Sequence, residues 1–311
     1  MATSKVPYLK YSIQSRSFRE ILALHLSWLE GKGGERAYLR GAILSDIDLQ
    51  DANLSQAILS GVSFLEANLS GTDFSGAEIQ GCDFRNAILF KTDFSGADIS
   101  ESSYQRSLLA ESSFSQAQVR NSHYRDANMR DCRLYEMRME FCDLTNAKLN
   151  SAFFNQAVIT ECRFIEADLE KSNFFRARFH SCRFTAANLM DANLASVHAL
   201  DCDFRGAKLN SARLSLANLC QSEFCSAAMA GCDLRESNLQ AANFSGAMLQ
   251  NSLFKEANTM STDFRGCVLE GARGFTANQL LQSFTAFNTI LPSGTRGPFV
   301  KGRNLEVPAA R

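Results

Sequence analysis

Between Asp51 and Ile79 the chain reads DANLSQAILSGVSFLEANLSGTDFSGAEI, and a Leu, Phe or Ile returns at every fifth residue with Ala, Val or Thr two residues before it. On an α-helix, residues five apart are rotated by roughly 140°, so this spacing defines no apolar stripe. On one continuous strand the same residues would alternate faces. Within each repeat, however, the apolar residue and its small predecessor stand two apart, and two residues apart on an extended chain point the same way. Each repeat therefore predicts a very short strand. The residues between are Ser, Gly, Asn, Asp or charged, as in Ser60-Gly61, Ser70-Gly71 and Ser75-Gly76, which predicts a turn after every strand.

The register runs from Leu39 to Leu269 through 47 pentapeptides without an inserted or deleted residue, and only Ala199 and Thr259 depart from the large apolar type. The small position, from Ala37 to Cys267, is Ala, Ser, Thr or Cys except at Ile47, Val62, Met137 and Val197, which predicts a close-packed interior. Internal repetition is the dominant signal. A slower period of 20 sits on top of it. Phe64, Phe84, Tyr104, Tyr124, Phe164, Phe184, Phe204, Phe224, Phe244 and Phe264 fall in one column, while the column from Leu49 through Leu269 holds no aromatic residue. Phe74, Phe94, Phe114, Phe154 and Phe174 fall ten residues away, so a 20-residue coil has four walls and the rings occupy two opposite ones.

The A-[DN]-L-x-x pattern, seen as Ala52-Asn53-Leu54, Ala67-Asn68-Leu69, Ala167-Asp168-Leu169 and Ala192-Asn193-Leu194, resembles the pentapeptide-repeat family over about three quarters of the chain. The resemblance implies an all-β fold, a right-handed quadrilateral parallel β-helix of about 12 coils. It leaves function open, because such solenoids serve many purposes.

The division expected is an N-terminal helical cap over residues 1–36, the solenoid over 37–271, and a C-terminal cap with a flexible tail over 272–311. Stacked coils leave about four large apolar side chains open at each end, worth about 6 to 12 kcal/mol if left wet. Ser17-Phe18-Arg19-Glu20 predicts a capped helix running through Ile21, Leu22, His25, Trp28 and Leu29 to Gly31-Lys32-Gly33-Gly34. Residues 276–284 predict a short second helix, followed by an apolar segment from Phe287 to Leu291 and a Pro/Gly-containing tail from Pro292. A homodimer contact through this C-terminal cap is the sharper alternative to plain capping.

Composition changes the picture only by exclusion. The 311 residues carry a formal charge of −1 and 45% apolar residues, with no apolar run long enough to span a bilayer. MATSKVPYLKYSIQ lacks the apolar core of a secretory signal, so cytoplasmic residence is the expectation, with delivery as an effector by another export route compatible with it. Eight of the ten cysteines (Cys82, Cys132, Cys142, Cys162, Cys182, Cys202, Cys232 and Cys267) occupy the small inward position, where a thiol is a slightly larger Ala; Cys220 and Cys225 fall outside. With no C-x-x-C pair and no clustered His, neither metal nor cofactor is expected. His123, His180 and His198 share no pocket with a nucleophile, so no enzyme is expected either.

The outer surface then has to carry function. The solenoid segment is mildly acidic, with a net charge of about −8. Some pentapeptide-repeat proteins resemble duplex DNA and bind bacterial type II topoisomerases, as the Qnr fluoroquinolone-resistance group does. Duplex DNA carries one charge per ~1.7 Å, roughly four times the charge available here over the same length. Arg163 and Arg183 interrupt the acidic column between Asp143 and Asp203, and the register lacks the loop insertions of Qnr proteins, so DNA-gyrase binding is the alternative reading. The preferred one is a bacterial, non-enzymatic solenoid that binds a protein partner through its flat faces, as an adaptor, regulator or delivered effector, without direct nucleic-acid contact. RLYEMRMEFCDL disturbs the repeat in the middle of the chain and places Tyr135 and Phe141 outward, with Phe153, Ile165 and Phe175 following. Tyr135 and Phe175 share a column two coils apart. Together with Arg133, Arg138, Arg163 and Arg176, Tyr135, Phe141, Phe153 and Phe175 form the candidate partner-binding set.

Overall fold

The computed structural model describes residues 12–13 and 16–299, with side chains from residue 16 onward. Compactness divides the chain into two units, Met1–Lys148 and Leu149–Arg311. Both are parallel β-solenoids with 20-residue coils, and the boundary falls inside the stretch that the sequence presents as one uninterrupted register.

In the first unit a two-residue hairpin, β1 (Ser12–Ile13) and β2 (Arg16–Ser17), leads into helix α1 (Phe18–Leu29). Six three-residue strands follow at intervals of 20: β3 (Tyr38–Arg40), β4 (Ile58–Ser60), β5 (Glu78–Gln80), β6 (Asp98–Ser100), β7 (Gln118–Arg120) and β8 (Arg138–Glu140). Consecutive strands pair in parallel with a register shift of 20, as Leu39 with Leu59 and Val119 with Met139. The other three walls are held by isolated parallel bridges such as Ile43 with Ser63, Asp48 with Asn68 and Asn53 with Asp73. The second unit carries β9 (Val158–Thr160), β10 (Arg178–His180) and β11 (His198–Leu200), then continues on isolated bridges alone to Leu253 with Arg273, before helix α2 (Ala277–Leu281). Strands β3 to β11 thus mark about eight turns, fewer than the 12 or so coils that the register predicts. The difference lies past Leu200, where the 20-residue pairing persists without three-residue ladders.

Side-chain burial follows the fifth-residue register. Both the large residue and its small predecessor are buried through coil after coil, including Ala167, Val197 and Ala199. The two ring-bearing walls meet as expected: in the first unit Phe64 stacks on Phe84 at 5.0 Å, Phe84 on Tyr104 at 4.7 Å, and the facing Phe74 meets Phe84 edge-on at 6.1 Å. In the second, Phe184, Phe204 and Phe224 stack at 4.8 Å. Polar residues at the small position donate to backbone carbonyls, Ser107 and Ser112 to those three residues back in their own coil and others to the preceding coil. Thr72 Oγ1 donates to the Leu49 carbonyl at 2.9 Å, Thr262 Oγ1 to that of Leu239 at 2.8 Å, and Cys132 Sγ to that of Leu109 at 3.0 Å. The Asn or Asp before the large residue closes a side-chain turn: Asn53 Oδ1 accepts the Ser55 N–H at 2.9 Å and Asp73 Oδ1 that of Ser75 at 2.8 Å. The predicted amide ladders are present, with Asn238 Nδ2 donating to Asn218 Oδ1 at 3.1 Å and Asn258 Nδ2 to Asn238 Oδ1 at 3.0 Å.

One corner residue in each pentapeptide lies in the left-handed region, with φ of 57° at Asp46, 53° at Phe141 and 60° at Leu216. Glycine takes the same place at Gly41 and Gly61. No Val, Ile or Thr stands at these corners, because a β-branched side chain clashes most in that conformation.

The ends are plugged by helices with capping boxes. Ser17 caps α1, its Oγ accepting the Glu20 N–H while Glu20 accepts that of Ser17. Phe18 and His25 are the fully buried residues of α1, whereas Ile21, Leu22, Trp28 and Leu29 are only half-buried. His25 Nδ1 accepts the Ala37 N–H and Nε2 donates to the Ser55 carbonyl, both at 3.0 Å, so the neutral ring satisfies two backbone groups of the first coil. At the other end Gln279 Nε2 donates to the carbonyls of Phe254 at 3.0 Å and Ala257 at 2.8 Å, and Phe275 stacks on Phe254 at 4.2 Å. Helix α2 ends at Leu281, three residues earlier than expected. Beyond it, Gly271 N–H donates to the Pro292 carbonyl at 3.0 Å, Ile290 bridges Arg296, and Phe299 is buried. The rest of the expected tail, residues 300–311, lies outside the described residues.

Burial lowers the His25 pKa, and Arg36 acts in the same direction. Since the folded value lies below the unfolded one, of about 6.5, stability is full above that value and falls as pH drops from it through the folded value. The thermal midpoint of the wild type is therefore expected to drop between pH 7.5 and 5.5, and that of His25→Gln to stay flatter, by differential scanning calorimetry. Parallel curves would sink this role for His25.

Candidate partner-binding surfaces

Every outward side chain sits immediately before, one after or two after a buried large residue, so its wall follows from its number. The residues immediately before and after point to the same side, which brings Asp and Arg together in D-x-R. Arg85, Arg205, Arg235 and Arg265 clamp Asp83, Asp203, Asp233 and Asp263 of their own repeats at 2.5 to 2.7 Å. Arg125 reaches Asp143 in the next coil at 2.9 Å. Partial burial works to raise the Asp83, Asp203 and Asp263 carboxyls, but the arginine hydrogen bonds and charge outweigh it and hold all three below the usual carboxylate range. These carboxylates stay ionised and are neutralised in place.

The candidate residues in the first unit do not share one face. Arg133 and Tyr135 flank Leu134 on one wall, Tyr135 half-buried; Arg138 lies on the adjacent β8 wall, and Phe141, 51% exposed, occupies the corner after it. In the second unit Phe153 and Phe175 lie on one wall, Phe153 beside Asn173 and Phe175 half-buried beneath the Arg176 guanidinium at 5.0 Å. Arg163 stands on a different wall, as the bridge partner of Arg183 in the next coil. His180 and His198 are not stacked either: His180 pairs with Leu200 and His198 with Arg178, so the two rings lie on a diagonal.

A different surface of the first unit carries large apolar side chains on neighbouring positions. Ile88 and Leu108 are bridge partners in adjacent coils, 41% and 47% exposed, and Phe90, 39% exposed, lies beside Ile88 on the same wall. Lys91 Nζ sits 4.9 Å over the Phe90 ring and 3.5 Å from Glu111. In the coils on either side the matching positions hold Asn68 and Asn128, so the patch is two coils tall with a polar margin. In the sequence the signal is Ile88 and Leu108 standing between Asn68 and Asn128 in one 20-residue file, aliphatic and less conspicuous than the aromatic cluster.

Reactive chemistry is not gathered anywhere comparable. Among the described residues no three His, Cys, Asp or Glu side chains are grouped to hold a metal ion. A shallow depression of about 240 Å³ on the β4–β6 wall is lined by Glu78, Gln80, Asp98 and Arg120, but Arg36 and Arg120 already hold the two carboxylates at 2.9 Å. The inward cysteines are buried, and burial pushes Cys82 up to about 11 and Cys132 to about 12. Of the two half-exposed thiols, Cys225 donates to Glu223 at 3.4 Å, and burial with that carboxylate raises it to about 11. Alkylation at neutral pH is therefore expected to label Cys220 first, Cys225 later and the inward eight last, as read by peptide mass spectrometry. Early labelling of Cys162 or Cys182 would contradict the packing.

Sequence profiles of a pentapeptide repeat region match residues 37–114, and those of pentapeptide repeats match overlapping segments between residues 112 and 273. A comparison with curated proteins found no match. Among solved structures, the chain is similar to HetL, a pentapeptide-repeat protein involved in heterocyst differentiation regulation from the cyanobacterium Nostoc sp. strain PCC 7120. The identity is 23%, the match covers 87% of this chain and 96% of that one, and the TM-score is 0.33. A trypsin-treated variant of QnrB1, a plasmid-mediated fluoroquinolone resistance protein, matches at 17% identity over 60% of this chain and 78% of that one, with a TM-score of 0.35. A pentapeptide-repeat protein from the Arabidopsis thaliana thylakoid lumen matches at 21% identity over 50% and 79%, with a TM-score of 0.12.

Proposed function

Because the chain belongs to the pentapeptide-repeat family, we propose that it acts without catalysis, as a cytoplasmic solenoid that binds a protein partner through its flat walls in an adaptor, regulatory or effector role. The observation that carries this reading is the wall of the first unit with Ile88, Phe90 and Leu108 exposed on neighbouring positions inside a polar margin. A flat, backbone-paired wall offers no water-excluding cleft, whereas an apolar centre with a polar rim is the anatomy of a protein contact. Phe141 with Tyr135 in the first unit, and Phe153 with Phe175 in the second, are subsidiary contact candidates. A second copy of the chain would dock at the C-terminal cap through Leu281, Phe284 and Phe287, the last 85% exposed. Among the described residues no helix is long and apolar enough to cross a membrane.

The gyrase reading gains nothing from the wall carboxylates. A DNA mimic needs an uncompensated acidic field, and Asp83, Asp143, Asp203, Asp233 and Asp263 each carry an arginine. No protection of gyrase from a fluoroquinolone is expected in a supercoiling assay at 150 mM salt, taken as roughly physiological; stoichiometric protection would promote that reading.

The direct test is quantitative co-purification from the native cell with the wild type and with an Ile88→Glu/Leu108→Glu double variant whose thermal midpoint is unchanged. Both residues point outward, so folding should survive. Specific partners should fall at least tenfold with the variant, and an unaltered partner set would remove this wall from the proposal.

A further inference from the structure

On the apolar wall of the first unit, Phe90, Ala110 and Arg130 follow one another in a single file. Lys91 N–H donates to the Ala110 carbonyl at 3.1 Å and Glu111 N–H to the Arg130 carbonyl at 2.9 Å, which fixes the three residues in successive coils. With neighbouring coils about 4.8 Å apart, the Ala110 methyl between two long side chains leaves a notch. Leu108 borders it on the same coil, and Ile88 and Phe90 continue its apolar margin below. Arg130 stands above the notch and Arg106 at the corner two residues before Leu108; both are exposed, and neither makes an ion pair among the described residues, although Asp126 and Asp131 occupy neighbouring corners. Lys91, by contrast, is held by the Phe90 ring and Glu111.

We propose that this notch receives a large apolar side chain of a partner peptide, and that a carboxylate within a few residues of that side chain pairs with Arg130 and Arg106. This rests on the protein-binding reading and specifies its partner: a short segment combining one bulky apolar residue with Asp or Glu. Apolar burial supplies the contact, and the free guanidinium groups select the acidic neighbour and exclude basic segments.

A random peptide library displayed on phage, selected against the full chain, tests this without knowledge of the natural partner. Enriched peptides are expected to share a large apolar residue within about three positions of Asp or Glu. The affinity of the best should fall at least tenfold for Ala110→Trp, which fills the notch from outside, and for Arg130→Glu, while Lys208→Glu in the second unit leaves it unchanged. Thermal midpoints of all variants are measured alongside, and should Ala110→Trp fold poorly, Arg130→Glu carries the comparison. The proposal is overturned by a failure to enrich, by peptides without an acidic residue, or by peptides whose binding survives both Ala110→Trp and Arg130→Glu. Peptides that ignore those two changes but are lost with Ile88→Glu/Leu108→Glu would overturn the notch while leaving the wall as a binding face.

Discussion

Phe204→Ala is expected to lower the stability of the second unit by about 3 to 5 kcal/mol, the range for an aromatic side chain removed from a filled interior. The ring is wholly buried and stacked on both sides, 4.8 Å from Phe184 and 4.8 Å from Phe224. Deleting it leaves a cavity that neighbouring coils cannot close, because the ladder bonds fix their spacing, and it also removes two ring contacts worth about 0.5 to 1.5 kcal/mol each. Denaturant midpoints of the variant and of Leu209→Met, a volume-conserving change in the same coil expected to cost less than about 1.5 kcal/mol, make the comparison. Equal losses would mean that the aromatic file does not carry the load assigned to it.

Ala167→Trp attacks the same interior from the opposite direction. Ala167 is fully buried, at the position whose small size lets two walls meet at a corner. Extra volume there has no outlet, and overpacking costs about 1 to 3 kcal/mol in ordinary cores and more where the backbone cannot shift. Asn68→Lys, on the outside, is the milder partner, although Asn68 is not idle: its amide donates to Asp48 at 3.0 Å and its Oδ1 accepts the Ser70 hydroxyl at 2.8 Å. Losing those bonds should cost about 1 kcal/mol. Thermal midpoints in the order wild type, Asn68→Lys, Ala167→Trp are expected, and a reversed order would contradict the inward register.

The fold was legible because a period of five with a two-residue internal spacing admits few physical solutions, and the 20-residue column of rings fixed the number of walls. The same two-residue rule, applied to outward positions, pairs Asp83 with Arg85 and Asp203 with Arg205. Phe18 was not legible because the α1 pattern points to Ile21, Leu22, His25, Trp28 and Leu29, and only the docked helix shows that Phe18 joins His25 in filling the coil end. The candidate surface was less legible for a related reason. Outward position can be read from the register, but exposure depends on neighbours such as Arg176, which covers Phe175. Tyr135 and Phe175 stand out in the sequence as aromatics in one column, whereas Ile88 and Leu108 are aliphatic and do not.

The left-handed corners bear on how such a chain reaches its fold. A non-glycine residue in that conformation is disfavoured by roughly 1 to 2 kcal/mol, and most coils contain several, for example Glu101, Arg106, Glu111 and Gln116 in succession. A solitary coil would meet that penalty with no neighbour to accept its backbone hydrogen bonds. Within either unit a new coil is therefore expected to form on the exposed edge of one already built, each ordered turn serving as the template for the next. Growth would then proceed as a zipper whose slow event is the first coil. In the first unit the surface best suited to start it is the α1 end, where His25 already offers an acceptor to Ala37 and a donor to Ser55.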